Sequence, residues 1–243
     1  MTSFLTSLTQ DSTGLALLDK PSGITSHDLV DRVRRATGVK RVGHAGTLDP
    51  LATGLMIVLI GREFTKMQAQ FLKQDKTYLV SADFGYTTDS YDVTGTLTKQ
   101  ASTEEIAKFS LEELIEAMPN FTGEISQVVP AYSAVKRAGK KLYQLARADS
   151  DHEKLELPSR EVSVNQLNLV NLEDLPVEFV VSQPPSAVLI TPFSLAFEVS
   201  CSSGTYIRSL IHDLGQKLAV GACVTGLRRT RIGNFRVEDS IPI

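Results

Sequence analysis

One stretch gathers the residue types that chemistry needs: Gly43-His44-Ala45-Gly46-Thr47-Leu48-Asp49-Pro50-Leu51-Ala52-Thr53-Gly54. It follows neither the helical nor the strand period. Its glycines permit close backbone approach or positive φ. Asp49 stands before Pro50, which drives the aspartate backbone toward an extended conformation and presents the side chain at a turn. The Asp-Pro pair alone leaves two readings open. Asp49 is either the N-cap of a helix with Pro50 at its first position, or a carboxylate free to act as a nucleophile or to stabilise a cationic centre. A glycosidase-type pair would need a second carboxylate as general acid, and no other acid sits in a motif of its own.

A carboxylate in a closed pocket stays ionised only beside a positive partner. Arg208 lies at the margin of an apolar stripe, Ile207, Leu210, Ile211, Leu214 and Leu218, where its guanidinium either reaches inward or snorkels along the surface. Tyr78 shares a strand face with Val80, Ala82 and Phe84, which by itself reads as a core tyrosine. His27, His44, His152 and His212 show no metal-ligand spacing with one another or with Cys201 and Cys223, and no structural metal is expected.

The elements that position these residues read as follows. Gly14–Leu18 is a short buried strand ending at the turn Lys20-Pro21-Ser22-Gly23. Ser26 is read as the N-cap of a helix with the stripe Leu29, Val30, Val33 and Ala36, stopped by Gly38. Strands follow at Leu55–Ile60 and Lys76–Phe84, then one amphipathic helix over Glu104–Met118, opened by Ser102 or Thr103. Strand patterns dominate Glu161–Ser200, interrupted by a long acidic, Pro-Pro loop over Asn171–Phe193. A helix over Thr205–Leu218 and a final strand over Ile232–Val237 complete the pattern. Strands and helices mix without βα alternation, so the expected fold class is α+β on a mixed, mostly antiparallel sheet flanked by helices.

At 243 residues, with 42% hydrophobic and 22% charged residues, the composition is that of a globular protein with ample core. Met1–Thr13 lacks the features of a signal peptide, apolar runs are too short to span a bilayer, and two cysteines make no disulfide framework. The expectation is a reduced, cytoplasmic protein without membrane contact. The net charge of −3 conceals segregation. Val135–Arg147 holds Lys136, Arg137, Lys140, Lys141 and Arg147 without an acid; Gly226–Arg236 holds Arg228, Arg229, Arg231 and Arg236 without one. Arg32, Arg34, Arg35, Lys40 and Arg41 face only Asp31, while acids collect over Glu104–Glu116, Asp149–Glu156 and Glu173–Glu178. Such clusters are either ordinary solvated surface or a face for a polyanion; three of them favour the second.

Taken in order, the motifs resemble a known family. They are Leu18-Asp19-Lys20-Pro21-Ser22-Gly23, the Gly43–Gly54 loop, Asp75-Lys76-Thr77-Tyr78, and Phe121-Thr122-Gly123 through Gln127, Pro130, Tyr132-Ser133-Ala134 and Lys136. Gly139-Lys140-Lys141-Leu142-Tyr143, Ala146-Arg147, Gly204-Thr205-Tyr206-Ile207-Arg208 and Leu227-Arg228-Arg229 follow. Together they resemble the TruB family, which makes pseudouridine at position 55 in the T loop of tRNA. The resemblance implies the pseudouridine synthase fold with its catalytic cleft on the sheet, spanning residues 1–243. It also implies an RNA-contacting insertion near 119–147, and the further C-terminal domain of the PUA type common in the family is expected to be absent. Asp49 matches the catalytic aspartate, Tyr78 the tyrosine stacked on the target base, and Arg208 the arginine paired with the aspartate. His44, Tyr206 and Leu227 match substrate contacts, and Lys20, in a motif of less defined role, is placed with the substrate-binding residues. Lys136, Arg137, Lys140, Lys141, Arg228 and Arg229 are expected on the RNA backbone. The reaction involves neither redox change nor hydrolysis, so no cofactor is expected. The implied partner is the T arm of tRNA, bound by a monomer with no obligate protein partner. The same chemistry on another RNA, including RNA-guided modification, and an RNA chaperone that no longer reacts are the rival readings.

Overall fold

The computed structural model describes residues 11–133, 135–137, 139–148 and 156–243. Ala134, most of Met1–Thr13 and of Asp149–Glu156, and the side chains of Lys136, Arg137, Lys141 and Arg147 lie outside the described residues.

A ten-stranded sheet organises the chain. Its strands are β1 (Gly14–Lys20), β2 (Val42–His44), β3 (Thr53–Ile60), β4 (Lys76–Phe84) and β5 (Gly123–Val128), then β6 (Ser159–Val170), β7 (Phe193–Cys201), β8 (Ala222–Ile232), β9 (Phe235–Arg236) and β10 (Ile241–Pro242). Their order across the sheet is β10-β1-β3-β8-β4-β7-β6-β5, with β2 also on β3 and β9 on β8. The β10–β1 and β8–β3 pairs are parallel and the others antiparallel. The expected α+β class with a mostly antiparallel sheet is therefore what forms. β4 matches the predicted strand residue for residue, because its alternating Tyr78, Val80, Ala82 and Phe84 fill one core face.

That face also takes the Ser26–Thr37 helix through Leu29, Val30 and Val33, and the Ile207–Lys217 helix through Ile207, Leu210, Ile211 and Leu214. Gly38 ends the first helix in the left-handed conformation, φ 72°. The opposite face builds a smaller core from Leu55, Ile57, Leu59 and Ile232. Where β3 meets β8 the backbones nearly touch. Gly54 has φ +102°, and a Cβ there would lie 2.3 Å from the Arg229 carbonyl oxygen. Only glycine fits.

Three expectations about elements are corrected. Thr25, not Ser26, is the N-cap: its hydroxyl accepts from the Asp28 N–H at 3.1 Å, and Asp28 accepts from the Thr25 N–H at 2.8 Å. Glu104–Met118 is not one helix. Ser102 caps Thr103–Lys108, Phe109 is extended, and Ser110 caps a second helix over Leu111–Ala117, so a second capping serine interrupts the period. Finally, the principal C-terminal strand is β8, followed by a tight turn into β9, rather than one strand over Ile232–Val237. β8 lies between strands and is buried on both faces, so it lacks the alternation that marks a half-buried strand.

Candidate active site

Pro50 does not open a helix; residues 47–52 form an irregular loop between β2 and β3. The capping reading of Asp49 therefore falls away, and the loop's shape comes from neighbours. Ser26, displaced from the cap position, serves here. Its hydroxyl donates to the Leu48 carbonyl at 2.9 Å and accepts from the Leu48 N–H at 2.8 Å. From the turn after β1, the Gly23 N–H donates to the Pro50 carbonyl at 2.8 Å and the Ser22 hydroxyl to the Leu51 carbonyl at 3.2 Å. Lys20 is fully buried beneath it, its ammonium donating to the carbonyls of Pro21 at 2.9 Å, Ile24 at 2.7 Å and Pro50 at 3.4 Å. Burial pushes the Lys20 pKa down to about 8, although the Asp49 charge opposes this. The expected place of Lys20 among the substrate-binding residues is corrected: with its ammonium spent on carbonyls, it supports the loop that holds Asp49.

The loop's other support is Arg229, on β8 and 1% exposed. Its guanidinium donates to the carbonyls of Leu55 at 2.8 Å, Gly46 at 3.2 Å and Thr47 at 3.5 Å. Arg228, 6% exposed, forms a bidentate pair with Asp19 at 3.0 and 2.6 Å. The expected placement of Arg228 and Arg229 on an RNA-facing surface is corrected: the central strand buries both, and their donors are occupied by carbonyls and a carboxylate. A run of basic residues reads as surface until the strand that carries it is known to be central.

Asp49 meets Arg208. The Arg208 Nε donates to Asp49 Oδ2 at 2.8 Å across 159 residues of sequence; the Asp49 side chain is 37% exposed and that of Arg208 is 4%. The guanidinium reaches inward and does not snorkel. Its Nη1 donates to the Ser90 carbonyl at 2.5 Å and its Nη2 to the Tyr132 carbonyl at 2.9 Å. Asp92 Oδ2 lies 3.6 Å from Nε. Burial alone would lower the arginine pKa, but Asp49 and Asp92 outweigh it and raise the value. A partly exposed carboxylate is thereby fixed and kept company by a buried cation.

Sequence reasoning passed over Asp92. The Ser90 hydroxyl donates to it at 2.9 Å and the Thr94 N–H at 2.9 Å, which makes it the buried counter-charge of Arg208. The signal was a turn-forming run of Thr, Asp, Ser and Gly from Thr87 to Gly95, which has no helical or strand period.

Tyr78 is buried on β4, opposite Arg229 in register, in the core that also holds Leu48 and Leu51 on either side of Asp49. Burial pushes its phenol pKa up. Leu227 is buried opposite Val80 on the same face. His44 ends β2; Gln68 donates to its carbonyl at 2.7 Å, and burial, then the Arg229 charge, lowers its pKa, favouring neutral imidazole. Tyr206 is half-buried at the start of the Arg208 helix, with the Arg160 guanidinium 5.3 Å from its ring centre. Lys140 is exposed on a two-stranded hairpin in which Lys136–Arg137 pairs with Lys140–Lys141, apart from the main sheet. Among the described residues, no three His, Cys, Asp or Glu side chains are grouped to hold a metal ion, and no helix is long and apolar enough to cross a membrane.

With the geometry in place, comparison with known proteins is informative. The model described as TruB family pseudouridylate synthase (N terminal domain) matches residues 34–207, and that described as tRNA pseudouridylate synthase B C-terminal domain matches 208–242. The chain belongs to the TruB family. It is 41% identical over 228 residues to tRNA pseudouridine synthase B of Protochlamydia amoebophila, covering 94% of this chain and 77% of that one. Identity to the Chlamydia abortus protein of the same name is also 41%, covering 94% and 86%. Among solved structures, the fold resembles a chain of a Cbf5-Nop10-Gar1 complex, with 28% identity and TM-score 0.65. It also resembles a chain of an H/ACA RNP bound to a substrate RNA containing 2′-deoxyuridine, with 26% identity and TM-score 0.61. It covers 95% of this chain in both cases and spans about half the length of those two, 52% and 51%. In this TruB-family chain the boundary between the two family models falls between Ile207 and Arg208, yet both sides share one sheet: residues after it supply Arg208 and β8.

Proposed function

We propose that the uridine this TruB-family enzyme isomerises to pseudouridine in tRNA is the one at position 55 of the T loop, and that Asp49 is the carboxylate that meets its ribose. The pairing of a partly exposed Asp49 with a buried Arg208 at 2.8 Å supports this reading above all. Pseudouridine formation breaks the N1–C1′ bond, turns the uracil and joins C5 to C1′, with the C5 proton lost and N1 protonated. A carboxylate beside C1′ can form a sugar adduct, stabilise the cationic sugar, or remove a sugar proton. Each role requires the ionised form, and Arg208 holds that carboxylate in place at 2.8 Å. Tyr78 is the platform for the uracil ring, and His44, Tyr206 and Leu227 border the extruded nucleotide. Taking a base out of its stack costs on the order of a few kcal/mol, which those contacts must offset. Lys136, Arg137, Lys140 and Lys141 grip phosphates beside the loop, positioning the RNA without reading it.

The relatives at 41% identity bear the name tRNA pseudouridine synthase B, whereas the likeness to chains of H/ACA assemblies is 26–28%. This favours a stand-alone cytoplasmic enzyme, a monomer that acts on the T arm without a protein partner or an added cofactor. The test is tritium release from a tRNA transcript labelled at C5 of uridine. Release without any cofactor is expected from the wild type and none from Asp49→Asn, which should still bind tRNA with an affinity that falls as salt rises. Equal release by both proteins would remove Asp49 from the reaction. Release from rRNA or mRNA but not from tRNA would overturn the substrate.

A further inference from the structure

The Ile207–Lys217 helix starts without a cap of its own, since no side chain of the helix start closes the first turn at Tyr206. A residue from the far edge of the sheet anchors the helix start instead, without capping its free N–H groups. Gln127, on β5, is 1% exposed, and its carboxamide closes on the backbone of Tyr206. The Tyr206 N–H donates to Oε1 at 2.7 Å, and Nε2 donates to the Tyr206 carbonyl at 3.0 Å. One side chain thus bonds both peptide groups of the residue two positions before Arg208, whose carbonyl also accepts from the Leu210 N–H at 3.0 Å. The segment continues in the same manner. The Ser209 hydroxyl donates to the Val128 carbonyl at 3.2 Å, and Arg208 Nη2 to the Tyr132 carbonyl at 2.9 Å. Residues 127–132 therefore hold residues 206, 208 and 209 and then run directly into the basic hairpin.

We infer that Gln127 is a positioning residue: it sets the start of the helix so that Arg208 engages Asp49. This rests on the function proposed above. A guanidinium with three acceptors in different directions tolerates little displacement, and misplacement of a reacting constellation by about 1 Å costs on the order of 100-fold in rate. The amide can work in only one orientation, because reversal would set acceptor against acceptor and donor against donor.

Two variants test this. Gln127→Met fills the volume but makes neither hydrogen bond. Gln127→Glu keeps the acceptor and can donate to the Tyr206 carbonyl only when protonated, which burial favours by raising its pKa. For Gln127→Met, kcat for tritium release should fall roughly 10- to 100-fold, with KM and the Kd for tRNA changed less than about 3-fold. For Gln127→Glu, the ratio of its kcat to wild type should approach one near about pH 6 and decline toward the Met level near about pH 9, as the carboxyl ionises. If Gln127→Met does not fold, the pH ratio of Gln127→Glu decides alone. A Gln127→Glu ratio that does not change with pH refutes the inference, as does wild-type kcat in both variants. Wild-type protein that releases no tritium from tRNA refutes the functional reading, and this inference with it.

Discussion

Arg208 faces two carboxylates of unequal burial, and the imbalance makes a sharp prediction. The side chain of Asp49 is 37% exposed and that of Asp92 is 6%. Replacing Arg208 by Met leaves Asp49 free to hydrate, whereas Asp92 stays in the protein with hydrogen bonds from Ser90 and Thr94 but no counter-charge. Breaking a buried pair in this way costs about 3–5 kcal/mol. The carbonyls of Ser90 and Tyr132, which also lose their donor, account for roughly 1 kcal/mol each of that loss. The remainder belongs to Asp92. Adding Asp92→Asn to Arg208→Met should therefore restore about 1–3 kcal/mol, while adding Asp49→Asn should restore less than about 1 kcal/mol, as for an exposed pair. Neither double variant should regain tritium release, because one lacks the group that holds Asp49 and the other lacks Asp49 as well. Urea unfolding at neutral pH, with midpoints compared at constant slope, measures the first effect, and the C5 release assay measures the second. Greater rescue by Asp49→Asn than by Asp92→Asn would refute the assignment of Asp92 as the buried counter-charge. A loss below about 1 kcal/mol in Arg208→Met would refute the burial argument itself.

Two further outcomes are expected. Gly54→Ala sets a Cβ against the Arg229 carbonyl at 2.3 Å and forces an L-residue to φ +102°, so unfolding in urea should show a loss above about 2 kcal/mol, with activity lost because β3 and β8 cannot close beneath the Asp49 loop. Asp213, on the Arg208 helix, has its pKa pushed up to about 6 by burial. A raised carboxyl pKa means that the folded state binds the proton more tightly, so the ionised side chain costs stability above pH 6 and the cost fades as pH falls toward 3.8. Asp213→Asn should accordingly be the more stable protein at pH 8, by roughly 1 kcal/mol after solvent screening, with the gap closing toward pH 4 in parallel urea melts. A gap that widens on acidification would show that the sign is wrong.

Much of the architecture could be read before any coordinates. The period of Tyr78, Val80, Ala82 and Phe84 located β4 to the residue, and Gly38 marked the end of the first helix, because these signals are local: a strand face, a left-handed stop. The Gly43–Gly54 motif pointed to Asp49, and the family resemblance singled out Arg208 at the margin of its helix stripe. What remained undecided was whether each of them turned inward. A carboxylate before proline can cap a helix, an arginine at a stripe margin can snorkel, and only partners brought from elsewhere in the chain settle such choices. Asp49 and Arg208 meet across 159 residues. Asp92 and Gln127 gain their roles the same way, one from a turn with no period and one from an edge strand. The arginines of β8 show the converse: charge alone placed Arg228 and Arg229 at the surface, but a strand in the middle of the sheet buries whatever it carries, and the backbone carbonyls of the Asp49 loop and the Asp19 carboxylate supply the partners that make this tolerable. Local periodicity thus determined which segments became strands and helices, while long-range pairing decided which charges were buried and left Asp49 partly exposed.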